Sequence, residues 1–121
     1  MTGERAQERA ASGSVRTAVD AALARVVLAG EVDATLGEDL ERAVADVGAS
    51  ALPVVVDTRG VTFMDSTGVG FLARLAVRVR PHRVQVLDPP PVVRFLLRTT
   101  RVATLVDLVP DDGPLPDPPA A

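Results

Sequence analysis

The chain has no cysteine, tryptophan, tyrosine or lysine among its 121 residues, and a single histidine, His82. Each absence closes a class of function. Without cysteine there are no disulfides, no thiolate nucleophile and none of the common structural zinc sites, and one histidine leaves a transition-metal cluster to carboxylates alone. No metal and no cofactor is expected. Phe63, Phe71 and Phe95 are the only aromatics, too few for stacking on nucleic-acid bases. The formal net charge of -3 and a pI near 5.0 supply no basic stripe for a phosphate backbone. Nucleic acid is therefore not a partner on this reading. No apolar run reaches bilayer-spanning length, and the start, MTGERAQERAASG, lacks the apolar core of a secretion signal. The expectation is a cytoplasmic protein with no membrane partner.

What remains is a core material of Val, Leu and Ala. Hydrophobic residues make up 47% of the sequence, and 121 residues suit one domain able to bury most of its unfolded surface. All thirteen basic residues are arginine, which reads as codon-composition bias rather than a phosphate-binding design. Residues 1–13 have no apolar stripe and read as a flexible leader. Residues 111–121, acidic and Pro-rich, read as a disordered tail.

Between these ends the periodicity switches in an orderly way. Val15, Thr17 and Val19 alternate with polar residues, a turn at Asp20-Ala21-Ala22 follows, and Leu23 to Leu28 gives a second strand of a hairpin. Gly30-Glu31-Val32-Asp33 reads as the break after it. Thr35 with Glu38 has the capping-box spacing, predicting a helix to about Val47 that ends at Gly48 to Ser50. Leu52 to Val56 is a continuous apolar run, as a central strand covered on both faces requires. Asp57 to Met64 reads as a loop. A second helix is predicted from Ser66 to about Val79, where Val69, Leu72, Ala73, Ala76 and Val79 recur at helical spacing before Pro81. Val84 to Leu87 is a strand, Pro89-Pro90-Pro91 opens a third helix to about Arg98, and Thr104 to Val109 is a last strand. The order ββαβαβαβ implies an α/β fold with a mixed, largely parallel sheet and helices packed on it.

The most informative stretch is Val54 to Leu75: a buried strand, a loop, then Asp65-Ser66-Thr67-Gly68 opening an amphipathic helix. A helix N-terminus carries unpaired N–H groups and a partial positive charge, so Ser66 there either caps the helix or carries a phosphate. Gly68 and Gly70 hint at a phosphate-cradling loop, but no Lys-Ser or Lys-Thr follows and the pattern is neither Walker nor Rossmann. Close backbone approach by a neighbour or a partner is the simpler reason for them. Asp65 reads as an N-cap, Thr67 as a first-turn packing residue, and Asp33 as either a turn residue or an interface residue.

Four segments in this order and spacing carry a resemblance to the STAS domain family, specifically the small bacterial anti-sigma factor antagonists (anti-anti-sigma factors). They are Leu28-Ala29-Gly30-Glu31-Val32-Asp33, Val54-Val55-Val56-Asp57, Phe63-Met64-Asp65-Ser66-Thr67-Gly68-Val69-Gly70, and Pro91-Val92-Val93-Arg94-Phe95-Leu96-Leu97. The resemblance covers about residues 14 to 109 and places a STAS domain over 14–110. Relatives often finish with a fourth helix, and no evident counterpart follows Pro110 here.

That resemblance implies a partner switch. The unphosphorylated protein binds an anti-sigma factor that is itself a serine kinase, releasing a sigma factor for transcription. Phosphorylation at the position of Ser66 ends the interaction, and a serine phosphatase resets it. Asp33, Asp65, Ser66, Thr67, Gly68, Gly70 and Val92, at the start of the third helix, are then the partner-binding residues. The chain is a kinase substrate and not an enzyme. A competing implication is a scaffold or accessory STAS subunit of a signalling or lipid-transport complex, never phosphorylated.

Overall fold

The computed structural model describes residues 12–110; residues 1–11 of the expected leader and the whole expected tail, 111–121, lie outside them. Period-two alternation produces the opening antiparallel pair, β1 (Gly13–Val19) and β2 (Ala24–Val32). Gly13, assigned to the leader by sequence, is the first residue of β1. The turn is held by Asp20, whose Oδ1 accepts from the Ala22 and Leu23 amides at 2.8 Å each, an Asx arrangement that fixes the reversal without glycine.

The rest alternates as its periodicity predicts: α1 (Gly37–Ser50), β3 (Val54–Met64), α2 (Ser66–Arg78), β4 (Val84–Leu87), α3 (Pro91–Thr99) and β5 (Val106–Val109). The five strands lie in the order β1-β2-β3-β4-β5, with every pair after the first parallel. The sheet is mixed and β3 is central. Because each crossover steps to the next strand in one direction, right-handed connections place all three helices on one face. The core agrees: Val26, Val54, Val56 and Val86 from the strands join Leu40, Phe71, Leu75 and Leu97 from the helices in one buried cluster.

The largest departure from the sequence reading lies at residues 57–64. They are not a loop. β3 continues through them for 11 residues in all, and β2 continues beside it to Val32 instead of breaking at Gly30. Two register shifts, between Val27/Ala29 and Gly30/Glu31, let the pair bend on to Val32↔Met64. Gly30 adopts φ 74°, and a Cβ there would collide with the Ser12 carbonyl oxygen. The polar residues that suggested a loop are paired within the strand. Thr58, fully buried, donates its hydroxyl to the Leu87 carbonyl at 2.9 Å. Asp57 accepts from Arg59 Nη2 at 2.8 Å and from Arg59 Nε at 3.1 Å.

That pairing makes a pH prediction. The Arg59 side chain, opposed by burial and helped by the Arg59 amide and the charge of Arg25, holds the Asp57 carboxyl below its ordinary value of 3.8. A carboxyl lowered in the folded state stabilises the fold above its unfolded pKa, and that contribution disappears as pH falls through the lower, folded value. The urea midpoint of Asp57→Asn should therefore lie furthest below wild type at pH 7, with the gap shrinking below about pH 4. A gap independent of pH would remove the carboxylate from the account.

Smaller boundary differences have local causes. Thr35 does not cap α1, whose N-cap position is Leu36 without a side-chain cap; Asp33 instead caps the 3-10 turn at Ala34–Leu36 that leads into the helix, accepting from the Thr35 amide at 3.0 Å and hydroxyl at 2.6 Å. Gly48 lies inside α1 rather than ending it, at a close approach of α1 and α2 where a Cβ would come 2.6 Å from Arg78 Cγ. The helix stops at Ala51, φ 57°. The last strand begins at Val106 rather than Thr104, since Arg101 at φ 66° starts a 3-10 turn at Val102–Thr104.

Candidate functional site

The extension of β2 and β3 builds the site. Val32 and Met64 are register partners at the carboxyl ends of their strands, so the next residues, Asp33 and Asp65, leave the sheet side by side. The Asp65 amide donates to the Val32 carbonyl at 3.2 Å. Both aspartates are extended, with φ -140° and -117°, and both turn a carboxylate back onto the amide two residues on. For Asp65 that amide is Thr67's, at 2.8 Å. Each carboxylate thereby satisfies an amide that the following turn leaves without a backbone partner.

This geometry removes the capping role from Ser66. Asp65 is the N-cap, so the serine is not one. Ser66 is the first residue of α2, exposed to solvent, and its hydroxyl has no hydrogen-bond partner among the described residues. What the helix mouth presents is a free neutral hydroxyl flanked by two carboxylates already engaged by backbone amides.

Behind it, the first turn of α2 is seated on the end of β3. Met64 is buried and Gly68 lies over it, at a distance where an added Cβ would stand 2.6 Å from Met64 Cγ. Gly68→Ala sets a helix-propensity gain of about 1 kcal/mol against an overpacking cost of about 1–3 kcal/mol. Met64 must move three atoms, Cγ, Sδ and Cε, all within 3.0 Å of that Cβ, so overpacking wins. A net loss of about 1 kcal/mol should appear in urea unfolding, and a gain would mean that Met64 is free to move aside. Gly70 is different: the only atom near its Cβ direction is Arg74 Nη1, at 3.3 Å, so no packing within the domain requires glycine there.

Asp33, Asp65, Ser66, Thr67, Gly68 and Gly70 thus form one contiguous surface and its support, with Thr67 half-buried and Gly68 buried. Val92 stands apart. It lies in the first turn of α3, which packs on β3, and its side chain is half-buried against the core. No hydrogen bond ties α3 to the Asp33–Asp65 pair among the described residues.

Two residues escaped the sequence reading as surface features: Phe63 is 46% exposed and Phe95 65% exposed. Two of three aromatics therefore face solvent. For Phe95 the signal was present, because Val93 and Leu97 are the buried pair of α3 and a residue midway between them projects to the opposite side. For Phe63 it was hidden by reading residues 57–64 as a loop. Among the described residues, no three His, Asp or Glu side chains gather as metal ligands, and no helix is long and apolar enough to cross a membrane.

Comparison with solved structures finds the same architecture in an anti-sigma factor antagonist from Mycobacterium paratuberculosis, at TM-score 0.72 and 24% identity, covering 81% of this chain and 86% of that one. SpoIIAA, an anti-sigma factor antagonist in its unphosphorylated form, matches at TM-score 0.65 and 19% identity, covering 79% of this chain and 88% of that one. These likenesses establish the fold. The sequence profile of the family described as "Mlab, STAS domain" matches residues 6–110, spanning every strand and helix described above, and the chain belongs to the STAS domain family.

Proposed function

We propose that this protein is an anti-sigma factor antagonist whose unphosphorylated form binds an anti-sigma factor serine kinase, releasing a sigma factor, and that phosphorylation at Ser66 switches it off. The observation that carries this reading is the uncommitted Ser66 hydroxyl at the mouth of α2, with helix capping delegated to Asp65. The fold shared with two anti-sigma factor antagonists supports it. The partner surface is Asp33, Asp65, Ser66, Thr67 and Gly70, supported from below by Gly68 and extended by the α3 start at Val92. A serine phosphatase resets the state. The protein contributes no catalytic group of its own: the hydroxyl is the substrate, and the kinase supplies ATP and the base.

The setting of Ser66 suits such a switch physically. A neutral hydroxyl is easily accommodated in a close interface, and phosphorylation adds nearly two negative charges beside Asp65 and Asp33. The fold is spared, because an anion at a helix N-terminus is favourable by roughly 0.3–1 kcal/mol. Titration of the purified kinase partner with wild type, Ser66→Ala and Ser66→Asp tests the reading. Wild type and Ser66→Ala should bind alike and Ser66→Asp should not. Equal binding by all three would instead favour a permanent accessory subunit.

A further inference from the structure

α2 carries one arginine whose position its own helix does not explain. Arg74 lies two turns after Ser66, and among the described residues its guanidinium has no hydrogen-bond or salt-bridge partner. Helical side chains lean toward the N-terminus of their helix, and Arg74 does so: Nη1 stands 3.3 Å from where a Cβ on Gly70 would sit. Gly70 is one turn before Arg74 and one turn after Ser66, so the three residues share one strip of α2, with Ser66 and Arg74 exposed and Gly70 half-buried between them. The missing side chain at Gly70 leaves the space between guanidinium and hydroxyl open.

We propose that Arg74 is the intramolecular receptor for the phosphate on Ser66, reaching it across the gap that Gly70 leaves. This rests on the phosphorylation reading above and deepens it. A phosphate on Ser66, in the solvent-exposed first turn where its bonds rotate freely, has room to swing toward Gly70, while Arg74 leans back to the level of Gly70 from the other side. Arg74 meets it as a charge-assisted, forked donor, which a carboxylate-rich surround does not otherwise offer. The nearby acidic groups, Asp33 and Asp65, are occupied by the amides of Thr35 and Thr67 and do not compete for the guanidinium. Arg74 also rims a shallow apolar groove with Val44, Ala73, Val77 and Arg78. Phosphorylation therefore engages a residue that borders the exposed surface between α1 and α2.

The test uses full-length protein with phosphoserine placed at position 66 during translation, so that it does not depend on any kinase. Phosphorus NMR follows the second ionisation of the phosphate, ordinarily near pH 6. A nearby cation favours the dianion, so the phosphate in wild type should titrate about 0.3–0.7 pH units below that in Arg74→Gln, a shift fitting an exposed ion pair. Gly70→Ala keeps every charge but fills the gap, and it should recover most of the Arg74→Gln value. Identical titration curves for wild type and Arg74→Gln, with both proteins folded by circular dichroism, overturn the proposal. A shift seen with Arg74→Gln but not with Gly70→Ala would overturn the role given to Gly70. If a kinase never modifies Ser66 although the NMR shift is present, the phosphorylation reading fails while the Arg74 contact stands.

Discussion

Ser66→Asp, or phosphate on Ser66, should weaken binding to the proposed anti-sigma factor kinase 30- to 1000-fold while leaving the urea midpoint of the isolated domain nearly unchanged. The magnitude follows from charge placement. At the effective dielectric of a protein surface, one like-charge contact at about 4 Å costs about 4 kcal/mol, and weaker geometry about half that. Each 1.4 kcal/mol is a factor of about ten in affinity. Within the domain, the same charge meets a helix N-terminus whose partial positive charge is favourable to it, and Asp65 already satisfies the Thr67 amide. One substitution therefore affects the interface strongly and the fold hardly at all. Calorimetric titration paired with denaturation reads both; a variant that loses binding only because it unfolds would show a large drop in the urea midpoint.

The largest effect on stability falls at the other end of the aromatic inventory. Phe71→Ala should cost about 3–5 kcal/mol, a large share of the 5–15 kcal/mol that holds a domain of this kind together. Phe71 is the largest fully buried side chain and has no exposed surface. It belongs to the single cluster shared by the sheet and all three helices, so the cavity cannot be closed by moving one element without disturbing the others. Phe95, 65% exposed, offers the internal control: its truncation removes little buried surface. Urea unfolding of the two alanine variants should separate them by at least 2 kcal/mol, and equal losses would contradict the layer arrangement described above.

How much of this was legible in the chain can be traced through particular residues. The strand and helix order followed from period-two alternation at Val15 to Val19 and from helical spacing at Val69 to Val79, because each element buries one face and its pattern records which. Element ends were less legible. Asp57-Thr58-Arg59-Gly60 has loop composition, yet β2 pairs along that stretch, the Thr58 hydroxyl reaches Leu87 and the Asp57 carboxylate binds Arg59. Those partners are supplied from elsewhere in space or by side chains, which periodicity does not register. The same reason explains Gly48, whose tolerance inside α1 depends on Arg78 of α2. At the site, the motif Asp65-Ser66-Thr67-Gly68 identified the helix mouth and Asp65 as its cap, but left open whether Ser66 was a second capping group. The geometry shows that the Asp65 carboxylate takes the Thr67 amide and that Ser66 is not the cap. The direction of Arg74 over Gly70 had no sequence signal beyond the four-residue spacing.

The account turns on Ser66 being the acceptor, and phosphate mapping tests that most directly. Purified protein is incubated with the partner serine kinase and ATP, then digested and examined by mass spectrometry, with Ser66→Ala alongside. The predicted result is one phosphate per chain, confined to the peptide bearing Ser66, absent from Ser66→Ala, and accompanied by release of the kinase. Phosphate on Thr67 or elsewhere, or stable binding by a fully Ser66-phosphorylated chain, would contradict it.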